Sequence, residues 1–231
     1  MEGSHSPDLI MNKKSLRYPK KNHRKTIKFP RNSILLAEFM GIEIGDGGIA
    51  NPWQVIITLN SKKDAIFAKY IVNLISRLFG ICPVVSKRKN KNALQIVSSS
   101  TSLIDFLVAK GATRGNKITQ HIDMPEWIRG KNRYEKAFVR GLMDTDGCLY
   151  VHRHIIKGIF YKNIGLCFTS GSKPLLNSVA NIFRKNKIKP YITDKGRRIY
   201  LYSENSVLKY LKIFGSSNPR ITEKYKEWKG A

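Results

Sequence analysis

The chain has 231 residues, 42% of them hydrophobic, which suits one large domain or two small ones sharing a core. Its 42 lysines and arginines face only 16 acids, a formal charge of +26, so its surface calls for a polyanion or a strongly anionic membrane. No stretch approaches the roughly 18 apolar residues of a membrane span, and the basic residues are interleaved with strand-like segments, which fits a long nucleic-acid groove better than one membrane-binding helix.

Residues 1–32 read as a basic arm. Its first ten residues look poorly ordered, and Met11 to Arg31 holds nine Lys or Arg, no acid, and the helix breakers Pro19 and Pro30. Ser33 is a plausible N-cap for a helix whose apolar stripe is Ile34, Leu35, Phe39 and Ile42 and which should stop at Gly45–Gly48. Trp53 to Asn60 reads as a strand. A helix from Lys63 to Phe79 should bury Ile66, Tyr70, Val72, Leu74, Ile75 and Leu78. Val84 to Lys87 and Leu94 to Ser98 form a hairpin pattern with a basic tip, Lys87, Arg88, Lys89 and Lys91. A short helix from Ser102 to Ala109 ends at Gly111, and residues 125–133 read as a linker.

The chain then repeats itself. Strands are expected over Leu149 to His154 and Ile159 to Ser170, and a helix from Ser172 to Lys185. IYLYS (Ile199 to Ser203) mirrors LQIVS (Leu94 to Ser98), VLKYLKIFG (Val207 to Gly215) mirrors LIDFLVAKG (Leu103 to Gly111), and NPRIT (Asn218 to Thr222) echoes GNKIT (Gly115 to Thr119). The expected architecture is α+β: a duplicated αββαββα unit, residues 33–124 and 134–231, with more chain between the Asp-Gly and its matching strand in the second copy.

The repeat is sharpest in FMGIEIGDG (Phe39 to Gly47) and VRGLMDTDG (Val139 to Gly147). Ala37 with Gly41, and Ala137 with Gly141, place small residues four apart on one helix face, so the two helices can pack backbone to backbone. Asp46 and Asp146 would then converge at the negative ends of two helix dipoles and repel each other. A divalent cation would hold both ionised, and the carbonyls of Gly45 and Thr145, freed at the helix ends, could help ligate it. A single Asp-Gly is ordinarily a helix-ending turn. Two copies in a protein this basic favour phosphodiester hydrolysis instead. The three cysteines, Cys82, Cys148 and Cys167, form no C-x-x-C and read as idle thiols of a reducing compartment. His152 and His154 alternate in a strand without a further Cys or His ligand nearby, so they read as DNA-facing rather than metal-binding.

The motif pair resembles the LAGLIDADG homing endonucleases in their single-chain, two-motif form, and the resemblance runs over nearly all of Ser33 to Trp228, including the PEWI and RGLMDTDG segments. It implies a pseudo-twofold fold with the motif helices at the interface and curved antiparallel sheets forming a saddle for DNA. It further implies Asp46 and Asp146 as catalytic metal ligands, Mg2+ as cofactor (with Mn2+ or Ca2+ able to replace it for binding), and a staggered double-strand break. Lys117 resembles the family's active-site lysine, and Arg220 holds the echoing position in the second half. The first motif departs from the pattern at Ile44, where the second keeps Asp144; Glu43 is displaced by one.

Recognition of double-stranded DNA is expected from one face of each sheet. Gln54, Thr58, Asn60 and Gln95 serve in the first half, and His152, His154, Tyr161 and Asn163 in the second. The tips, Lys87 to Lys91 and Lys195, Arg197 and Arg198, are expected to grip phosphates. The chain is expected to act as a monomer, away from membranes, inside the cell wherever its host DNA lies. The start shows no signal-peptide pattern. An RNA-binding intron maturase and a catalytically inactive DNA-binding protein are the competing readings on the same scaffold.

Overall fold

The computed structural model describes residues 25–193 and 195–230. Most of the basic arm expected over 1–32, with its Pro19, lies outside the described residues.

Two helices organise the molecule. Helix α1 (Ile34–Asp46) starts on Ser33, whose hydroxyl accepts from Leu36 N at 3.2 Å, and α4 (Asn132–Asp146) starts inside the expected linker. They pack directly against each other. Both glycines sit at the crossing. A Cβ on Gly41 would collide with the Phe138 carbonyl oxygen, and one on Gly141 with that of Glu38. Such close approach is open only to small residues, so the paired Ala–Gly spacing sets the distance between the two halves.

Each half then follows the same course. Strands β1 (Gly47–Asn51) and β2 (Gln54–Asn60), helix α2 (Ala65–Phe79), strands β3 (Val84–Lys87) and β4 (Ala93–Ser99) and helix α3 (Thr101–Ala109) complete the first unit. The second runs through β5 (Gly147–Ile156), β6 (Ile159–Thr169), α5 (Lys173–Lys185), β7 (Tyr191–Ile192), β8 (Arg198–Leu201) and α6 (Glu204–Ile213). The sheets are antiparallel with matching orders, β1-β2-β4-β3 and β5-β6-β8-β7. This is the expected duplicated αββαββα architecture. Alternation holds in both sheets: Val55, Ile57 and Leu59, and Ile164, Leu166 and Phe168, point into the core, leaving the other face open.

Three details differ from the sequence reading. Ile66 is 62% exposed, and Phe67 and Ile71 occupy the buried stripe of α2 instead. The helix begins at Ala65, two residues later than expected, and its buried face is Phe67, Ile71, Leu74, Ile75 and Leu78. Strand β1 was hidden in Gly-Gly-Ile-Ala-Asn, a poor strand composition that pairs because β2 lies antiparallel beside it, Gly48 opposite Ile56. Finally, NPRIT opens a twelve-residue helix, α7 (Pro219–Gly230), which packs on β5 and ties down through Trp228 Nε1 donating to Lys162 O at 3.2 Å. The echoing GNKIT forms only turns.

Candidate active site and nucleic-acid face

Because α1 and α4 pack so closely, their C-terminal ends meet. A Cβ on Gly45 would strike Thr145 Oγ1 and lie 3.4 Å from Asp146 Oδ2, so the last residues of the two helices form one cluster. Asp46 is pushed up to about 7, first by burial and then by the charges of Asp146 and Asp64, against the pull of Lys117 and Arg220. Asp146 is pushed up to about 6 by burial, with Lys117 opposing. Two carboxylates that resist ionising side by side are the situation a divalent cation relieves.

Lys117 lies in the turns after α3 and inserts its ammonium into the end of α1. It donates to the carbonyls of Glu43 (3.0 Å), Ile44 (2.7 Å), Gly45 (2.9 Å) and Gly47 (2.6 Å). Burial lowers its pKa, opposed by the charges of Glu43, Asp146 and Asp46. The lysine thus satisfies the carbonyls a helix end leaves open and offsets the negative dipole end. The Gly45 carbonyl, expected as a free metal ligand, is therefore already shared with Lys117. Thr145 points its hydroxyl back to the carbonyls of Gly141 and Leu142.

Arg220 stands at the corresponding place in the second half. Its Nη2 lies 3.5 Å from Gly147 O, as Lys117 Nζ lies on Gly47 O, but its Nε also faces Asp64 Oδ1 at 3.4 Å. Asn218 donates from its carboxamide to both Asp64 Oδ1 and Asp144 O, each at 2.9 Å. Asp64, from the first half, therefore holds the segment of the second half that carries Arg220. Sequence reading missed Asp64 and Asn218. The only signal was the repeated NPRIT, and the partners are 154 positions apart.

The acidic neighbours of the motif differ. Asp144 accepts from Ser216 Oγ at 2.5 Å and Ser217 N at 2.7 Å, anchoring the turn before Asn218. Burial pushes it up to about 7 against those two bonds. Ile44 at the matching position is simply core. Glu43 beside it is fully buried, neither carboxylate oxygen has a hydrogen-bond partner, and burial pushes it up to about 7. Glu38 completes the interface, accepting from Tyr70 Oη (2.8 Å), Ser217 Oγ (2.6 Å) and Arg140.

Among the described residues, no group of three or more His, Cys, Asp or Glu side chains is placed to hold a metal ion. The donor set that fits a hard cation here is Asp46, Asp146 and helix-end carbonyls, with water or phosphate oxygen supplying the rest.

The open sheet faces carry the expected contact residues. Thr58 is exposed, and Gln54 and Gln95 are half-buried on the same face, bonded to Ser99 and Thr58. Asn60 is differently engaged: its carboxamide oxygen accepts from Lys62 N and Lys63 N, so it closes the turn into α2. In the second sheet His152 lies opposite Asn163 and His154 opposite Tyr161, all on the open face. Lys87, Arg88, Lys89, Lys91, Lys195, Arg197 and Arg198 are exposed at the strand ends. Unforeseen was an aromatic row. Tyr150 lies across Gly165 and meets Tyr200 edge to face at 6.3 Å, and Tyr200 stacks on Tyr202 at 5.1 Å.

The comparisons agree with this geometry. Residues 133–221 match the model of the LAGLIDADG-like domain. No curated protein matches the chain in sequence. Among solved structures, the I-LtrWI LAGLIDADG homing endonuclease bound to target DNA aligns with a TM-score of 0.58 at 12% identity, over 85% of this chain and 88% of that one. I-DmoI in complex with DNA and Mn aligns with a TM-score of 0.51 at 18% identity, over 80% and 97%. The meganuclease I-SmaMI bound to uncleaveable DNA aligns at 0.55 and 12%, over 86% and 90%.

Proposed function

From a chain with a LAGLIDADG-like second half and the homing-endonuclease fold throughout, we propose that it is a site-specific DNA endonuclease. It hydrolyses both strands of a long, non-palindromic duplex site and leaves a staggered break. It needs a divalent cation, Mg2+ in the cell, held between Asp46 and Asp146. The observation that carries this reading is the meeting of two carboxylates, half-buried Asp46 and exposed Asp146, one from each half, at the joined ends of α1 and α4. When bound, the cation would activate water and stabilise the leaving oxygen of phosphodiester hydrolysis.

The chain's own residues prepare that site. Asp46 and Asp146 lose their protons to take up the cation. Lys117 and Arg220 bring fixed positive charge beside the cluster, Lys117 acting from within the end of α1 through its field on the carboxylates and the charge that develops on phosphate. The open sheet faces and basic strand ends hold the duplex on either side. Since each half supplies one carboxylate, one chain suffices, and we infer a monomer acting inside the cell where its target DNA lies. The structure has no helix long and apolar enough to cross a membrane among its described residues.

A randomised duplex library incubated with the protein and MgCl2 should yield one family of cut sites, and chelation should stop the reaction. Roughly ten neutralised phosphates should give a slope of about −9 for log affinity against log salt. A flat salt response would remove the groove model.

A further inference from the structure

The two open sheet faces differ in chemistry. On the first, Thr58, Gln95 and Ser86 form one polar row across β2, β4 and β3, beside an apolar row of Ile56, Val97 and Val84; its strands carry no aromatic residue, though Trp53 is exposed in the β1–β2 turn. The second is dominated by rings: Tyr150, Tyr200 and Tyr202 in one group, and His152, His154 and Tyr161 in another. Its outer end is Ile156 opposite Ile159, 52% and 59% exposed on either side of the Lys157–Gly158 turn. That hairpin, β5–β6, is ten and eleven residues long, against five and seven for β1 and β2.

Exposed apolar and aromatic groups with Arg198, bonded to Tyr200, at one end and Lys157 at the other suit a polyanion that also presents apolar surface. Duplex DNA does so in one place, the 5-methyl group of thymine in the major groove. Stacking on unpaired bases fits less well, because the rings already stack on each other. Tyr200 and Tyr202 are 6° from parallel, and His154 and Tyr161 are 11° from parallel at 5.4 Å. One face of each of these rings is covered by its neighbour, which leaves less stacking surface for a base than free rings would offer.

We propose that the second sheet recognises its half-site chiefly through thymine methyl groups, with Tyr161, Tyr202, Ile156 and Ile159 as the specificity-determining residues. The first sheet reads its half-site more by hydrogen bonds. This rests on the endonuclease reading and deepens it by assigning the chemistry of one half-site.

The test replaces thymine by deoxyuridine, which lacks only the methyl, at every thymine of one half-site and then of the other in the selected target. Binding is measured by fluorescence anisotropy for the native chain and for Ile159→Ser and Tyr161→Ala, both exposed positions. One half-site should lose about fourfold in affinity for each contacted thymine, the value of one buried methyl. That loss should shrink in the two variants, while the other half-site responds less. Equal losses in both half-sites, or a loss unchanged by the variants, would overturn the proposal and leave the endonuclease reading standing. Failure to bind any duplex would instead bring down the endonuclease reading, and this proposal with it.

Discussion

The ends of α1 and α4 carry the same Asp-Gly pair, but each is secured differently. The end of α1 is capped by one lysine that takes four carbonyls, next to a buried glutamate that bonds to nothing. The end of α4 is held by a network: Asp144 anchors Ser216 and Ser217, while Asn218 and Arg220 reach Asp64 of the other half. The symmetric part is the part that must converge, two helices and two carboxylates. The asymmetric part is everything that fixes and surrounds them. A duplicated fold can thus keep one active site while its halves diverge in support and in the surface offered to DNA.

The strongest way to break the symmetric side of this comparison is Asp46→Asn against Asp146→Asn. Each should lower double-strand cleavage by about a thousandfold or more, because a metal site contributes several kcal/mol of charge stabilisation. DNA binding should change little. Gel analysis of nicked and linear plasmid would show whether each carboxylate serves one strand or both, and unimpaired cleavage by either variant would end the assignment. The helix crossing is next. Gly41→Ala and Gly141→Ala each set a methyl against backbone, and overpacking of this kind costs about 3 kcal/mol, the top of the usual range, because backbone gives way least. In a chain of this size that lowers Tm by about 6–12 °C. Similar losses would show that the crossing is symmetric, and a shift under about 2 °C at either would show that the helices can part freely.

Much of this was legible in the sequence because the symmetric features are local. Ser33, the Ala–Gly spacings and the Asp-Gly ends all act within one or two turns of helix. The family resemblance pointed to Lys117 and the repeat to Arg220 as its echo, and both stand beside the helix ends. What could not be read depends on register or on contacts between halves. Asp64 gains its role only from residues more than 150 positions away. The aromatic group needs the pairing of Cys167 with Tyr200 to bring β8 beside β6. Ile66 is exposed because the buried stripe runs through Phe67, Ile71, Leu74, Ile75 and Leu78, and Ile66 lies about 100° from Phe67 around the helix. Strand β1 has too little side chain to announce itself, and α7 has a weak apolar stripe with Ile221 as its single buried residue.

The two basic residues sharpen the comparison at the next level. Lys117→Met should reduce cleavage by about a hundredfold, since it removes charge from the cluster and leaves four helix-end carbonyls without their donor. Arg220→Met should cost less, because its contact to Gly147 O is long and Asn218 still ties the segment to Asp64. Single-turnover rates for both variants would decide, and a larger loss at Arg220 would reverse the ranking.

The smallest effect isolates the acidic asymmetry. Glu43 rises from 4.5 to about 7 on folding. The folded chain therefore keeps this proton between those values while the unfolded chain loses it. Stability from this group is complete below pH 4.5 and is lost as pH rises through 7. Glu43→Gln should remove that loss. The variant should match the native chain near pH 4.5 and exceed it at pH 8 by at most roughly 3 kcal/mol, the equivalent of the shift. Asp144→Asn should gain less, because burial raises Asp144 to about 7 as well but its carboxylate is held by hydrogen bonds that Glu43 lacks. An amide cannot accept from both Ser216 Oγ and Ser217 N as the carboxylate does, and one donor left unpaired costs about 1–3 kcal/mol. Urea titrations at the two pH values would measure both. If Glu43→Gln gained no more at pH 8 than Asp144→Asn does, the buried carboxylate of α1 would have a partner after all, and the two helix ends would be more alike than their contacts suggest.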